Sequence, residues 1–264
     1  AFAFDVSAAC AGSIYALSVA DRFVASGAVK NALVVGADAL TRITDWTDRN
    51  TCILFGDGAG AFVLQASETP GGVLSAVMHS DGSGGDLLSL PGGGSHLPAT
   101  ESTVREGKHY IHMDGREVYR FATRVMGQAS REVLELAGLT TDDVQWIIPH
   151  QANYRIIEAA AKHLKMPMDR FIVNVDRYGN TSTASIPIAT VEACEKGLVK
   201  NGDRIVLVGF GAGLTWGALA AEWTGPLPRE RVVRVRPYRT WGRIRSLFLR
   251  AVRFLEGLIW GRGS

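Results

Sequence analysis

Three residues that could together catalyse acyl transfer occupy the same kind of position in this chain. Cys10, His150 and Asn180 each follow an apolar segment typical of a buried strand and precede a segment typical of a helix. A cysteine at a helix start lies at the positive end of the helix dipole, which favours the thiolate, and free backbone N–H groups there can hold an oxyanion. A thiol, an imidazole and a carboxamide therefore indicate acyl chemistry. For Cys10 alone, a structural core cysteine is an equal alternative.

The segments that would position these residues alternate between strand and helix patterns. Short continuous apolar runs predict buried strands, and apolar residues at helical spacing predict helices. This alternation predicts an α/β fold with largely parallel sheets. A loop rich in Gly, Ser and Pro is expected over residues 81–103. The predicted strands are 2–6, 32–36, 73–78, 146–149, 171–175, 204–209 and 214–223, with two more meeting in a tight turn at 56–60, and the predicted helices are 12–27, 114–138, 153–164 and 183–196.

Composition limits the class of protein. The chain has 264 residues, of which 47% are hydrophobic, enough for one or two packed domains. Its three cysteines are an odd number, which argues against a disulfide framework and for a reducing compartment. No signal peptide and no apolar run of membrane-spanning length is present in the sequence. We therefore expect a cytoplasmic protein.

Charge divides the chain into an acidic body and a basic tail. Residues 225–264 contain ten Arg, two Glu and no Lys, a net charge of +8, against +2 for the whole chain, which leaves −6 for residues 1–224. On a helical wheel over 240–260 the apolar residues face one way and arginines the other, which predicts an amphipathic helix that lies on an anionic membrane or docks on a partner. A linker to a further domain and a reading-frame artefact are the alternatives. The apolar side comprises Ile244, Leu247, Phe248, Val252, Leu255, Leu258 and Ile259, and the opposite side Arg239, Arg243, Arg250 and Arg253.

Other functions are disfavoured by spacing. His109 and His112 lack helical spacing and partner cysteines, so a metal site is not expected. The glycine run 56–60 is followed by a strand pattern rather than a helix, so no helix N-terminus is available for a phosphate. Papain-like proteases share the residue order Cys, His, Asn, but the sequence around Cys10 lacks their signature. Nucleic-acid binding through the basic tail is not expected either, because no nucleic-acid-binding fold is indicated.

Several motifs occur together in one order over residues 2–224. They are A-A-C-A-G (8–12), T-D-R-N-T (47–51), F-G-D-G-A-G-A (55–61), P-H-Q-A-N-Y-R-I (149–156), G-N-T-S-T-A-S (179–185) and G-F-G-A-G-L-T-W-G (209–217). With these motifs, the chain resembles β-ketoacyl-acyl-carrier-protein synthase III, a condensing-enzyme family of the thiolase-fold superfamily. The resemblance implies a layered αβαβα fold of two related halves, and a short echo between residues 56–61 and 209–214 agrees with a duplication.

The resemblance also implies a domain organisation. Residues 1–80 would be the remainder of an N-terminal half, 81–113 a loop-rich connection, 114–224 the C-terminal half, and 225–264 a linker with the arginine-rich tail. Family members carry further residues before the cysteine and end near Trp223. We therefore expect the N-terminal half to be incomplete in this sequence and the tail to be an addition.

The same resemblance implies the reaction. Cys10 would take the acyl group of an acyl-CoA primer, and malonyl-acyl-carrier protein would then lose CO2 and condense with it, which initiates fatty-acid synthesis. His150 and Asn180 would stabilise the enolate by hydrogen bonds. The backbone N–H groups of Cys10 and Ala212 would form the oxyanion hole, where the family often has Gly in place of Ala212. No metal and no tightly bound cofactor are expected.

Further residues are assigned by resemblance to substrate binding. Arg49 and Arg155 would lie near the entrance for CoA and the acyl-carrier protein, with ordinary surface charge as the alternative. Asn153 would support the pantetheine or malonyl region, and Phe210 would wall the site beside His150. The acyl pocket would be lined by Leu40 and Phe55. A homodimer is expected from the family.

Two other functions stay open at this point. A relative with the same Cys, His and Asn could serve in secondary metabolism, such as polyketide or quinolone synthesis, by condensation or simple acyl transfer. A chain that has lost activity could serve as a membrane-tethered scaffold, although the retention of Cys10, His150 and Asn180 argues against it. The acyl-chain preference is not indicated by the sequence.

Overall fold

The computed structural model describes residues 1–225, 241 and 244–252. Its contacts divide the chain into two compact units, Ala1–Leu227 and Pro228–Ser264. The first unit contains six helices and eight strands in its described part. The helices are α1 (Gly12–Ala25), α2 (Glu101–Arg105), α3 (Gly115–Leu136), α4 (Tyr154–Leu164), α5 (Val175–Tyr178) and α6 (Ser185–Glu195), and the strands are β1 (Asn31–Ala39), β2 (Asp57–Gln65), β3 (Gly72–Ser80), β4 (Leu88–Ser89), β5 (His112–Met113), β6 (Trp146–Pro149), β7 (Arg204–Gly211) and β8 (Thr215–Glu222).

The central sheet has four strands in the order β3-β8-β7-β6. Strands β6 and β7 are parallel, whereas β7–β8 and β8–β3 are antiparallel. Strands β1 and β2 form a separate antiparallel pair. The prediction of largely parallel sheets was therefore wrong, because β7 and β8 are joined by a turn of three residues, and so short a connection permits only antiparallel pairing.

The central sheet is covered on both faces, and strand β7 shows how. Successive side chains of a strand point to opposite faces. Ile205 and Leu207 belong to a core with α1, α6 and Val34 of β1, while Val206 and Val208 belong to a core with α3 and α4. A strand buried on both faces is a continuous apolar run, which is why this strand was predicted correctly.

The resulting layers place α1 and α6 between the β1–β2 pair and the central sheet, with α3 and α4 on the far side of that sheet. This is an α/β architecture of the layered kind that was predicted. The outer face of β1–β2 is exposed in the described structure: Leu33 and its cross-strand partner Val63 are 66% and 73% exposed.

Two helices begin at the residues that their sequence indicates. The Asp114 side chain accepts hydrogen bonds from the backbone N–H groups of Arg116 and Glu117 at the start of α3. The Asn153 side chain accepts one from the N–H of Arg155 at the start of α4. Such caps satisfy backbone donors that have no partner inside the helix. The cap at Asn153 also fixes the position of the segment that follows His150.

Three predicted elements differ from the structure. Residues 2–6 form no strand, because no strand of the described chain lies beside them to pair with their backbone. Residues 171–175 contribute one isolated bridge, between Phe171 and Ile147, because the chain turns into α5 at Val175. The glycine run 56–60 is not a turn between two strands, since β2 begins at Asp57 and continues through it.

The glycines of β2 instead allow α6 to approach closely. A Cβ on Gly60 would lie 2.7 Å from the Cβ of Pro187, and one on Gly58 would lie 2.9 Å from the side chain of Ile188. Pro187 lies in the first turn of α6, where its missing N–H leaves no helical hydrogen bond unmade. The glycine run is therefore a packing surface for the helix that follows the Asn180 segment.

In the second unit, residue 241 and residues 244–252 are helical. The rest of the predicted amphipathic segment 240–260 lies outside the described residues. No helix in the described part of the chain is both long and apolar enough to cross a bilayer.

Candidate active site

Cys10 lies on a strained turn that precedes α1. It is the middle residue of a 3₁₀ turn, Ala9–Ala11, and Ala9 has a φ of +44°, a region that residues with a Cβ rarely adopt. Two hydroxyl groups hold this turn. The Thr183 Oγ1 donates to the Ala9 carbonyl at 3.0 Å, and the Thr215 Oγ1 donates to the Ala8 carbonyl at 2.9 Å. Because both threonines come from the second half of the chain, the nucleophile's position depends on the tertiary fold.

The Cys10 thiol is buried, with 7% of the residue exposed. Burial raises the pKa of the Cys10 thiol to about 11, because a thiolate loses its hydration there. Hydrogen bonds from the Ser182 and Asn180 side chains lower the pKa by less, and the charge of Asp38 raises it further. Burial therefore favours the neutral thiol, whereas the helix N-terminus was expected to favour the thiolate.

His150 follows β6 and points into the protein interior. Its backbone N–H donates to the Val208 carbonyl at 2.7 Å, which continues the parallel pairing of β6 with β7. Its Nδ1 lies 2.6 Å from the Ser185 Oγ, and its ring meets the Phe210 ring edge to face at 5.4 Å between centroids. Burial lowers the pKa of His150 to about 3, so the imidazole is neutral at pH 7. Its Nε2 has no hydrogen-bond partner among the described residues.

Asn180 is fixed through its backbone and one side-chain atom. Its N–H donates to the Leu54 carbonyl, and its own carbonyl accepts from the Gly56 N–H, both at 2.8 Å. Its side-chain Oδ1 accepts from the Ser182 N–H at 2.8 Å. Because this bond uses the oxygen, the Nδ2 group is the donor that the carboxamide can direct to the Cys10 sulfur or to a ligand.

A cavity of about 820 Å³ brings these three residues together. Cys10, His150 and Asn180 all line it. Three residues predicted to bind substrate line it as well: Phe55, Asn153 and Phe210. Leu40, Arg49 and Arg155 are not among its lining residues, and both arginines are exposed. The pocket wall was therefore predicted in part, and no described contact supports the entrance residues.

The proposed oxyanion hole lies where β7 ends against the Cys10 turn. A Cβ on Gly211 would be 2.6 Å from the Cys10 nitrogen, so only glycine allows this approach. The neighbouring Ala212 is half-buried and is not among the residues with positive φ, so its methyl group is accommodated without backbone strain. The arrangement places the backbone of residues 211–212 beside the backbone of Cys10.

Sequence reasoning missed several residues at this site. Ser185, which contacts His150, and Thr183, which supports the Cys10 turn, both lie inside the quoted motif G-N-T-S-T-A-S, but the motif does not indicate which side chains face the site. Other missed residues also line the cavity. They are Asn50 in the motif T-D-R-N-T, Asp86 and His112 in the loop-rich connection 81–113, and Arg116 and Tyr119 near the start of α3.

No group of three or more His, Cys, Asp or Glu residues within the described ranges is arranged to hold a metal ion. His112 lines the cavity, whereas His109 lies 3.0 Å from the Thr103 Oγ1, so the two histidines have different surroundings. Cys10, His150 and Asn180 bring a thiol, a neutral imidazole and a carboxamide to the cavity, a set suited to covalent acyl transfer with hydrogen-bond stabilisation of an oxyanion.

Two family models match the chain. Residues 4–82 match the model of 3-oxoacyl-[acyl-carrier-protein] synthase III, and residues 134–223 match the model of its C-terminal part. The β-ketoacyl-[acyl-carrier-protein] synthase III of Roseiflexus castenholzii is 53% identical over 224 residues, which are 85% of this chain and 68% of that protein.

Solved structures agree with this match. The 3-oxoacyl-[acyl-carrier-protein] synthase III of Aquifex aeolicus VF5 is 48% identical with a TM-score of 0.76, over 84% of this chain and 67% of that one. The priming β-ketosynthase of the R1128 polyketide biosynthetic pathway is 38% identical with a TM-score of 0.75, over 84% and 66%. From its motifs, its layered fold and these likenesses, the chain belongs to the β-ketoacyl-acyl-carrier-protein synthase III family of thiolase-fold condensing enzymes.

Proposed function

We propose that Cys10, His150 and Asn180 carry out the condensation by which this β-ketoacyl-acyl-carrier-protein synthase III initiates fatty-acid synthesis. The observation that carries the proposal is the shared cavity, in which one atom of the His150 side chain and one of the Asn180 side chain are already hydrogen-bonded within the protein. The Ser185 hydroxyl is at His150 Nδ1 and the Ser182 N–H is at Asn180 Oδ1. This leaves an N–H from each residue for one substrate oxygen.

The first step is acylation of Cys10. The sulfur attacks the carbonyl carbon of an acyl-CoA thioester, a new C–S bond forms, and the bond to CoA breaks. The thiol proton leaves with the CoA sulfur, so charge is balanced. The backbone N–H groups of Cys10 and Ala212 stabilise the tetrahedral oxyanion, and the glycine at 211 permits their close approach.

The second step is decarboxylation of malonyl-acyl-carrier protein. The C–C bond to the carboxylate breaks, CO2 leaves, and the electron pair is delocalised onto the thioester oxygen. His150 and Asn180 each donate a hydrogen bond to this oxygen. Both are neutral donors in a buried site, where such hydrogen bonds are stronger than in water. A cationic imidazole is not required, which agrees with the low pKa of His150.

Condensation completes the cycle. The enolate carbon attacks the carbonyl of acyl-Cys10, the C–S bond to Cys10 breaks, and the 3-ketoacyl-carrier protein is released while the sulfur regains a proton. No tightly bound cofactor is required in this scheme, because Cys10 itself carries the acyl group. The substrates are therefore acyl-CoA and malonyl-acyl-carrier protein.

The finer parts of the proposal concern binding and assembly. Phe55, Asn153 and Phe210 contact the acyl and pantetheine groups within the cavity that they line. Leu40, Arg49 and Arg155 stay predictions of the family resemblance, with Arg49 and Arg155 at the carrier-protein entrance. A homodimer is proposed on the same basis, and sedimentation equilibrium measures it. A cytoplasmic location is proposed from the cysteine content of the sequence.

A second candidate function is condensation in secondary metabolism. Its support is the likeness to the priming β-ketosynthase of a polyketide pathway, at 38% identity. Both functions use the same residues and differ in the carrier protein and primer. A comparison of condensation rates with carrier proteins of fatty-acid and polyketide type separates them.

The test of the proposal is intact-mass spectrometry after incubation with a panel of acyl-CoA thioesters, followed by peptide mapping. We expect an acyl adduct on the Cys10 peptide and none in Cys10→Ala, with the preferred mass identifying the primer. His150→Ala and Asn180→Ala keep the adduct but lose malonyl decarboxylation by about 10²–10³-fold each, the effect of one oxyanion donor. Unchanged activity and acylation in Cys10→Ala would exclude every mechanism in which Cys10 is the nucleophile.

A further inference from the structure

The helix formed by residues 244–252 carries a continuous apolar face. Ile244, Leu247, Phe248 and Val252 recur at the i, i+3, i+4 and i+8 positions of one helical face. Phe248 is 66% exposed, and Ile244 and Leu247 are exposed to a similar extent. Trp241, three positions before Ile244 in the chain, is exposed as well. A hydrophobic face of this size is costly in water and indicates a surface that is covered when the protein functions.

The same helix carries two arginines and, within the described residues 244–252, no acidic residue. Arg245 lies at the edge of the apolar face and Arg250 lies on the other side of the helix, and both are exposed. The surrounding sequence has the same character, since residues 225–264 have a net charge of +8 while residues 1–224 carry −6. The covering surface must therefore be apolar in its interior and anionic at its edge.

We propose that this helix binds in the plane of an anionic lipid bilayer, with the apolar face among the acyl chains and the arginines among the headgroups. Charge complementarity is the argument for this occupant. A bilayer that contains anionic lipid supplies negative charge directly beside an apolar interior, in the geometry that an amphipathic helix with bulky apolar and arginine side chains requires. The apolar face offers no polar side chain that would pair with a protein groove. The inference is independent of the proposed catalytic residues.

The test is co-sedimentation of the full chain with phosphatidylcholine vesicles that contain about 30% phosphatidylglycerol, or none. Two neighbouring substitutions give matched variants, because Phe248 and Leu249 lie on different sides of the helix. Phe248→Glu and Leu249→Glu change the charge equally. We expect Phe248→Glu to lower the partition coefficient at least about tenfold, because it removes a large apolar side chain from the bilayer, and Leu249→Glu to lower it at most about threefold.

Each outcome supports or overturns the proposal that the helix binds an anionic bilayer. Tight binding to the anionic vesicles, weakened by salt and abolished selectively in Phe248→Glu, supports the proposal. An equal loss of vesicle binding in the two variants would mean that binding is nonspecific charge attraction, which overturns the proposal. A lack of wild-type binding to anionic vesicles overturns it too, in favour of a protein partner or the acidic body of the chain itself. Thermal melting and alkylation of Cys10, measured for both variants, establish that the folded body is intact.

Discussion

Ser185 offers the sharpest test of how the site orients its imidazole. Its hydroxyl lies 2.6 Å from His150 Nδ1, and both residues are buried. If the hydroxyl donates to Nδ1, the imidazole proton must sit on Nε2, the atom that faces the cavity without a described partner. Ser185 is then a positioning residue: it selects the tautomer that donates to the enolate oxygen, without touching the substrate.

The expected effect of Ser185→Ala follows from this geometry. Loss of the hydroxyl leaves Nδ1 buried without a partner, which costs about 1–3 kcal/mol and removes the preference for one tautomer. Complete loss of an oxyanion donor costs about 10²–10³ in rate. A donor that is still present but poorly oriented should cost less, so we expect decarboxylation and condensation to slow by about 10–100-fold. Acylation of Cys10 by acyl-CoA should stay within about threefold, since His150 has no part in that step.

The assay measures the two half-reactions separately. Release of CO2 from malonyl-carrier protein reports the step that depends on His150, and adduct formation by mass spectrometry reports acylation. Nitrogen-15 NMR of labelled histidine identifies the tautomer directly, and we expect one form in the wild type and a mixture in Ser185→Ala. Ser130→Ala is the matched control, because Ser130 is also fully buried and its hydroxyl bonds a helix carbonyl at 2.8 Å outside the cavity. Ser185→Thr should restore part of the activity.

The reasoning is refuted by either of two results with a folded Ser185→Ala protein. Unchanged decarboxylation would mean that the contact with Nδ1 does not orient the imidazole. Equal loss of acylation and decarboxylation would mean that the hydroxyl supports the site as a whole.

Three further predictions concern the same core. Because burial raises the pKa of Cys10 to about 11, the rate of its alkylation by iodoacetamide should increase about tenfold per pH unit from pH 6 to 10. A rate that reaches a plateau below pH 8 would show instead that the helix N-terminus stabilises the thiolate. Burial lowers the pKa of His150 to about 3, below its unfolded value, so the unfolded state binds more protons and stability falls with acidification below about pH 6.5. The free energy of unfolding, measured with urea, should therefore be up to about 2 kcal/mol lower at pH 5 than at pH 7, and His150→Gln should lack this difference. The same pH dependence of stability in the two proteins would contradict this. Gly60→Ala should lower the free energy of unfolding by about 1–3 kcal/mol, because the added Cβ would lie 2.7 Å from Pro187. Gly94→Ala is the control and should leave stability unchanged, because a Cβ there has open space around it. Equal unfolding midpoints for the two variants would argue against close packing at Gly60.

The sequence predicted the elements whose signals are local. Strand β7 is a continuous apolar run, and α3 begins at a capping aspartate and ends before a glycine, so both were located to within two residues. The helix after Cys10 and the segments before His150 were equally clear. A cap, a turn residue or an apolar period depends on neighbours in the chain, which is why sequence alone reveals it.

Elements that depend on a distant partner were predicted less well. Residues 2–6 have the composition of a strand, but strand formation requires backbone partners, and none lies beside them among the described residues. The glycines at 56–60 have the pattern of a turn, but Gly58 and Gly60 are needed because α6, more than a hundred residues later in the chain, packs closely against them. The direction of strand pairing was also wrong, since alternation of helix and strand does not specify how a final hairpin joins the sheet.

For the candidate site, the sequence alone predicted a chemistry from a cysteine before a helix and a histidine and an asparagine after strands, in motifs that indicated one family. Tertiary structure decided what those groups can do. Burial, which no local pattern reports, raises the thiol pKa and keeps the imidazole neutral. The contacts of Ser185 with His150 and of Thr183 with the Cys10 turn join residues 35 and 174 positions apart. Ionisation and orientation depend on such long-range neighbours, because solvent exclusion and hydrogen bonding act through space and not along the chain.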